Sequence, residues 1–279
     1  DGIWNAIPDP NYIQPEWVWN TIMACVRLND KQPINILLRG ESGLGKTSLA
    51  IEIAARLRRP IAVVNCGGFQ EPADIYGRIS LVRDDQGGVV TKFSKSLLWR
   101  AIETPGCVMV LDEINRSESP KAVNPLLDLT DHRRRTFVDE LQTWMRVADG
   151  VMFIATMNEG SLYSGIDMID SALEGRFFSI TLPKMPNDEL ASLVVRKTGI
   201  GSKRALEILR IMPKDSNTRT VLKVALLIAA GAGMGEALRV GMDGSPEKEM
   251  ERVLQEAQVL AGSVLSTKYV SWDKLGVEA

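Results

Sequence analysis

Along the first two-thirds of the chain, apolar residues fall into two arrangements that take turns. Short continuous runs at 36–38, 61–66, 107–111 and 151–156 predict strands buried on both faces. Between them, apolar positions recur at helical spacing. Trp17, Val18, Ile22, Cys25, Val26 and Leu28 mark a helix over 16–28 behind Pro15, and Leu49, Ala50, Ile53, Ala54 and Leu57 mark another that Pro60 ends. Further helices are expected over 94–103 and 120–131. This alternation predicts a parallel α/β sheet with helices on both faces.

Two short hairpins interrupt the pattern. Runs at 79–83 and 89–93 flank Gln86-Gly87-Gly88, and a basic turn at 132–135 opens a second hairpin that reaches Arg146. Past Pro183 the period changes: 187–199, 202–211, 217–230 and 246–265 read as helices, and the one later strand-like run is 268–272. Residues 1–14, with Pro8 and Pro10 and little periodicity, read as an extended arm. The expected organisation is an N-terminal arm and helix (1–30), an α/β core (31–184), and a C-terminal helical unit with an extension (185–279).

The run at 36–38 leads directly into Gly40-Glu41-Ser42-Gly43-Leu44-Gly45-Lys46-Thr47-Ser48, and helical spacing begins at once. G-x-x-x-x-G-K-[ST] between a strand and a helix is a phosphate-binding loop. Its four fixed positions would match by chance in a chain this long about once in a hundred times. The glycines let successive N–H groups turn inward on a triphosphate, and the helix opening at Lys46 adds the positive end of its dipole. Lys46 supplies a charge for the β- and γ-phosphates, and the Thr47 hydroxyl is placed to hold Mg²⁺.

The run at 107–111 ends in Asp112-Glu113, at the carboxyl end of a parallel strand where open α/β sheets bind ligands. Asp112 can hold the metal through water opposite Thr47, and Glu113 can orient and deprotonate a water for attack on the γ-phosphate. Asn158 ends the next strand, and its amide suits an attacking water or a phosphate oxygen, although Asn before Glu-Gly is also a common turn former. Arg176 lies in Ala172-Leu-Glu-Gly-Arg176-Phe177. Arg219 sits near a helix start, where a cation opposes the dipole and requires an anion nearby, either a phosphate or a carboxylate.

Composition excludes several other chemistries. The chain has 279 residues, 24% charged and 45% hydrophobic, with a net charge of −2 and a pI near 5.7, so no general basic field invites nucleic acid. Cys25, Cys66 and Cys107 form no CxxC pair and read as reduced core residues of a cytoplasmic protein. His132 is the sole histidine, which excludes histidine-based metal ligation and Ser-His-Asp chemistry. No apolar run reaches the ~20 residues of a membrane span.

These motifs, in this order, resemble the AAA+ ATPases, and within them the MoxR-type, dynein-related and McrB-like branch. Residues 40–47 match its Walker A motif, Val110-Leu111-Asp112-Glu113-Ile114-Asn115-Arg116 its Walker B motif, Ala155-Thr156-Met157-Asn158 its sensor-1 segment, and 169–177 its arginine-finger segment. Asp74-Ile-Tyr-Gly77-Arg resembles the stretch before a hairpin inserted in helix 2. The resemblance covers roughly residues 15–235. It implies a P-loop three-layer core with a smaller all-helical lid, in a ring, expected to be a hexamer, with ATP and Mg²⁺ at each subunit interface. Lys46, Thr47, Asp112, Glu113 and Asn158 would act in cis, Arg176 would reach the neighbour's site, and Arg219 would be the lid's sensor-2 arginine. The tip at 84–88 would face the pore, yet it lacks the aromatic–hydrophobic pair of threading unfoldases.

Three functions fit this pattern. The leading one is ATP-driven remodelling or activation of a partner protein. The second is a nucleic-acid motor subunit driven by ATP or GTP and tied to a nuclease, with Arg133–Arg135 as its one basic cluster; a salt-dependent DNA-binding isotherm would distinguish it. The third is a nucleotide-gated scaffold that barely hydrolyses, which would tolerate loss of Glu113.

Overall fold

A computed structural model describes residues 2–29, 31–83, 88–159, 169–214 and 216–261. The chain divides into two compact units, 1–183 and 184–279. In chain order the first unit contains β1 (Ile3–Asn5), α1 (Glu16–Asn29), β2 (Asn35–Gly40), α2 (Lys46–Arg56), β3 (Pro60–Asn65), α3 (Ala73–Tyr76), β4 (Gly77–Arg83) and β5 (Val89–Lys95). It continues with α4 (Leu97–Ile102), β6 (Val108–Asp112), α5 (Asn124–Leu129), β7 (Arg135–Val138), β8 (Thr143–Arg146), β9 (Met152–Asn158), α6 (Ser171–Glu174) and β10 (Phe178–Thr181).

The main sheet has the order β1-β3-β6-β9-β2-β10 and is parallel except for β1. Its continuous apolar runs have a simple cause: successive side chains point to opposite faces, and both faces are covered. Leu37, Met109, Leu111, Phe153 and Ala155 pack on one side with Leu98, Trp99, Leu126 and Leu129 of α4 and α5. Ile36, Leu38, Val108, Val110, Met152 and Ile154 pack on the other with Val18, Ile22, Leu49 and Ile53 of α1 and α2. Cys25, Cys66 and Cys107 are free thiols inside these layers.

The N-terminal arm is fastened to the sheet. β1 pairs antiparallel with the edge of β3, and the Asp9 N–H donates to Glu52 Oε2 at 3.0 Å from α2. Tyr12 packs edge-on to Trp19, and burial pushes its phenol up to about 12. Three residues are too few for periodicity to show, so pattern reasoning saw only the extended conformation.

Other boundaries differ for local reasons. The helix expected from 94 starts at Leu97, because Ser94 and Lys95 continue β5 opposite Arg78 and Gly77. Ser96 then caps it, accepting the Trp99 N–H at 3.0 Å. Gly77 could not be otherwise: its φ is 131°, and a Cβ there would lie 2.2 Å from the Ser94 carbonyl oxygen. The helix expected to run to Pro60 stops at Arg56, the chain turns through Arg58 in a left-handed conformation, and Pro60 opens β3. The stretch 120–131 is a 3-10 turn followed by α5. β10 was not predicted, because Phe-Ser-Ile-Thr is short and half polar; it pairs with β2 at the sheet edge. The hairpin tip at 84–87 lies outside the described residues.

The second unit contains α7 (Asn187–Thr198), α8 (Ser202–Ile211), α9 (Thr218–Ala229), α10 (Met234–Gly241) and α11 (Glu247–Ala261) around a core that includes Val194, Ile208, Val224, Leu238 and Val253. α10 was missed because Gly231, Gly233, Gly235 and Gly241 erase the helical pattern. Its start is secured by Glu236, which accepts the Gly233 N–H at 2.8 Å. The strand expected at 268–272 lies outside the described residues. None of the described helices is long and apolar enough to cross a membrane.

Candidate functional site

The sheet order brings three strand ends together. β9 lies between β6 and β2, with Leu38 opposite Thr156, Gly40 opposite Asn158, and Leu111 opposite Ala155. The carboxyl ends of β2, β6 and β9 therefore present the phosphate loop, Asp112-Glu113 and Asn158 along one edge. Gly40, Gly43 and Gly45 have φ of 141°, 82° and 82°. The last two are in the left-handed region that lets backbone N–H groups converge. Gly45 is also the N-cap of α2 and offers no side-chain acceptor to its first turn. Those N–H groups are left for an anion. Lys46 is buried, and its Nζ donates to the carbonyls of Gly40 at 2.8 Å and Glu41 at 2.7 Å, so the ammonium is held over the loop.

Asp112 is the hub of the acidic side. Its Oδ1 accepts from the Thr47 hydroxyl at 2.6 Å and from the Thr156 hydroxyl at 2.7 Å. Thr47 gives its proton to the carboxylate and keeps its lone pairs for a cation. One hydroxyl beside one carboxylate, with no cluster of three metal-ligating side chains among the described residues, fits Mg²⁺. That ion keeps waters and takes most of its remaining ligands from substrate phosphates.

Glu113 leaves the strand with φ 54° and ψ 49°, a left-handed conformation for a residue with a side chain. This turn takes Glu113 out of register with Asp112, so the two carboxylates do not share one role. Glu113 Oε1 accepts from Asn158 Nδ2 at 3.0 Å, and Oε2 from Arg116 at 2.9 Å. Asn115 ties the same turn to β9, donating to the Asn158 carbonyl at 3.2 Å.

Arg176 follows α6, and each of its three guanidinium nitrogens donates once within the chain. Nε donates to the Leu127 carbonyl at 2.9 Å, one terminal nitrogen to the Ala172 carbonyl, and the other to Asp131 at 3.3 Å. Although partial burial pushes the Asp131 carboxyl up, the Arg133 N–H and the charges of His132, Arg133 and Arg176 hold it below the usual carboxylate range. Asn35, at the start of β2, holds the Arg176 carbonyl at 2.9 Å and accepts from Arg134 at 2.9 Å. Arg134 lies over the Phe153 ring, and burial lowers its guanidinium to about 10. Arg219 belongs to the second unit, exposed at the second position of α9 behind the Asn217 cap, and forms no ion pair among the described residues.

Sequence reasoning missed Thr156, Arg116, Asn35 and Arg134. Thr156 was legible, since it precedes Asn158 by two in a strand and so shares its face. Arg116 is three residues past Glu113 in a helical turn, another readable relation. Arg134 carried no signal, because a basic run does not reveal which arginine is buried. Thr156→Val keeps the shape but removes both the donor to Asp112 and the acceptor of the Glu113 N–H at 2.9 Å. Stability should fall by about 1–3 kcal/mol for the groups left unpaired. Urea unfolding checks it.

A family model described as AAA domain (dynein-related subfamily) matches residues 35–177. Putative chaperone BssE of Thauera aromatica is 34% identical over 273 residues, covering 94% of this chain and 93% of that one. Protein NorQ of Paracoccus denitrificans is 27% identical over 271 residues, 92% and 93% of the two chains. Among solved structures, the Thermotoga maritima RuvB Holliday junction branch migration motor aligns with a TM-score of 0.52 at 18% identity, over 89% of this chain and 70% of that one. At that identity the likeness speaks for the fold alone.

Proposed function

The chain belongs to the dynein-related subfamily of AAA domains, and from that premise we propose that it hydrolyses ATP with Mg²⁺ in a cytoplasmic ring to remodel or activate a partner protein. The observation that carries this reading is the hydrogen-bonded line Thr47–Asp112–Thr156–Glu113–Asn158 beside a phosphate loop. Lys46 and the α2 N-terminus would bind the phosphates, and Thr47 and Asp112 would hold the cation, which would neutralise charge on the β- and γ-oxygens. Glu113 would accept the proton of a water held by Asn158. Arg176 would serve the neighbouring subunit's site, and Arg219, an exposed cation with no carboxylate partner among the described residues, would sense the nucleotide.

A protein partner is favoured over nucleic acid by the β4–β5 ribbon. Ile79, Leu81, Val89 and Val90 are exposed on it, with Leu81 at 74% and Val89 at 66%. The apolar grip absent from the tip sequence is thus present on its flanks, where it suits polypeptide. Similarity to a protein named as a chaperone supports the same choice.

Turnover per subunit should rise with protein concentration as rings assemble, measured alongside light scattering. Full turnover in a strictly monomeric sample would remove the shared-site reading. Capture of a protein partner by Glu113→Gln held in ATP would support remodelling.

A further inference from the structure

The outer face of the β7–β8 hairpin carries an arrangement the nucleotide site does not use. Register places Arg135 opposite Arg146 and Phe137 opposite Trp144, so all four share one face. Like charges directly opposite each other on a two-stranded ribbon are unfavourable. Among other surface arginines, Arg56, Arg78, Arg133 and Arg204 meet a carboxylate, and Arg219 does not among the described residues. Among the described residues Arg135 and Arg146 meet none. Their guanidiniums lie over Trp144 instead, at 4.6 and 6.0 Å from the ring centre. Trp144 is 43% exposed and braced edge-on by Phe137 at 5.2 Å. An open cleft of about 230 Å³ adjoins them, lined also by Thr136, Asp128 and Arg133.

We propose that this face binds an acidic, extended segment of a partner protein, its carboxylates on Arg135 and Arg146 and an apolar neighbour in the cleft against Trp144 and Phe137. Two exposed cations with no carboxylate partner among the described residues supply the charge complement. Guanidiniums that stack on an aromatic ring keep their in-plane N–H donors free for bidentate contact with a carboxylate.

Nucleic acid fits less well. The Trp144 ring is covered by guanidinium rather than free to stack on a base. Arg133 is already committed to Asp128, so two arginines remain, too few to follow a run of phosphates. The inference rests on the proposed function only for the existence of a protein partner, and its test reads binding rather than turnover.

The probe is a fluorescein-labelled peptide, (Glu-Glu-Leu)₃, titrated with the full chain by anisotropy, beside its glutamine counterpart and a labelled oligothymidylate. The acidic peptide should bind at least tenfold more tightly than either control and weaken with salt. Arg135→Ala/Arg146→Ala and Trp144→Ala should each weaken it at least tenfold, Arg135→Lys/Arg146→Lys less, and Arg204→Ala not at all. All variants should keep the concentration dependence of ATP turnover. Equal binding by the double alanine variant, preference for oligothymidylate, or no binding of the acidic peptide would overturn the proposal. A shift in that concentration dependence would also overturn it, since the face would then be a subunit contact.

Discussion

Glu113→Gln should cut ATP turnover by about 10²–10⁴-fold while leaving nucleotide affinity within a fewfold of wild type, because it removes only the proposed proton acceptor. Lys46, Thr47 and Asp112 are untouched, so the phosphates and the cation keep their partners. The amide can still accept from Asn158 through its one oxygen, but its NH₂ then meets the Arg116 donor that now bonds the second carboxylate oxygen. Single-turnover hydrolysis and a fluorescent-nucleotide titration separate the two effects. A variant that retains more than a tenth of wild-type turnover would remove Glu113 from the chemistry, and one that loses turnover yet keeps the protein's function would favour the nucleotide-gated scaffold.

Arg176→Ala should lower turnover of the assembled protein by about 10³–10⁵-fold, the usual worth of an arginine supplied to a phosphoryl-transfer site. In the chain itself the guanidinium bonds Leu127, Ala172 and Asp131, so reaching a neighbour's phosphate means surrendering those contacts. A purely structural arginine would also show a loss, and mixing separates the cases. Arg176→Ala combined with Glu113→Gln creates interfaces that pair an intact Glu113 with an intact Arg176 from the other subunit. Turnover should reappear in the mixture of two inactive variants. If it does not, Arg176 acts only within its own chain.

The buried strands and the loop at 40–48 could be read directly, because each is a local pattern: a continuous apolar run, or glycines at fixed offsets. Likewise, Asp112, Glu113 and Asn158 were legible as strand ends. What could not be read was the lateral order of strands. Only with β9 between β6 and β2 does Thr156 become the link between Asp112 and the Glu113 backbone. Asn35 lies 99 residues from Arg134 and 141 from Arg176, and a single hydrogen bond joins it to each. No periodicity encodes such a join. β10 and α10 were hidden for opposite reasons, the first by polar residues at a sheet edge and the second by glycines in a helix.

The left-handed backbone at Glu113 sets durability against function. Glycine at that position would relieve about 1–2 kcal/mol of steric conflict, and wherever Asn158 and Arg116 find other acceptors the chain would withstand heat better without its proposed proton acceptor. Screens that reward thermal endurance alone should therefore drift toward silent variants at this one turn. Stabilising libraries for this chain are best built with position 113 held fixed.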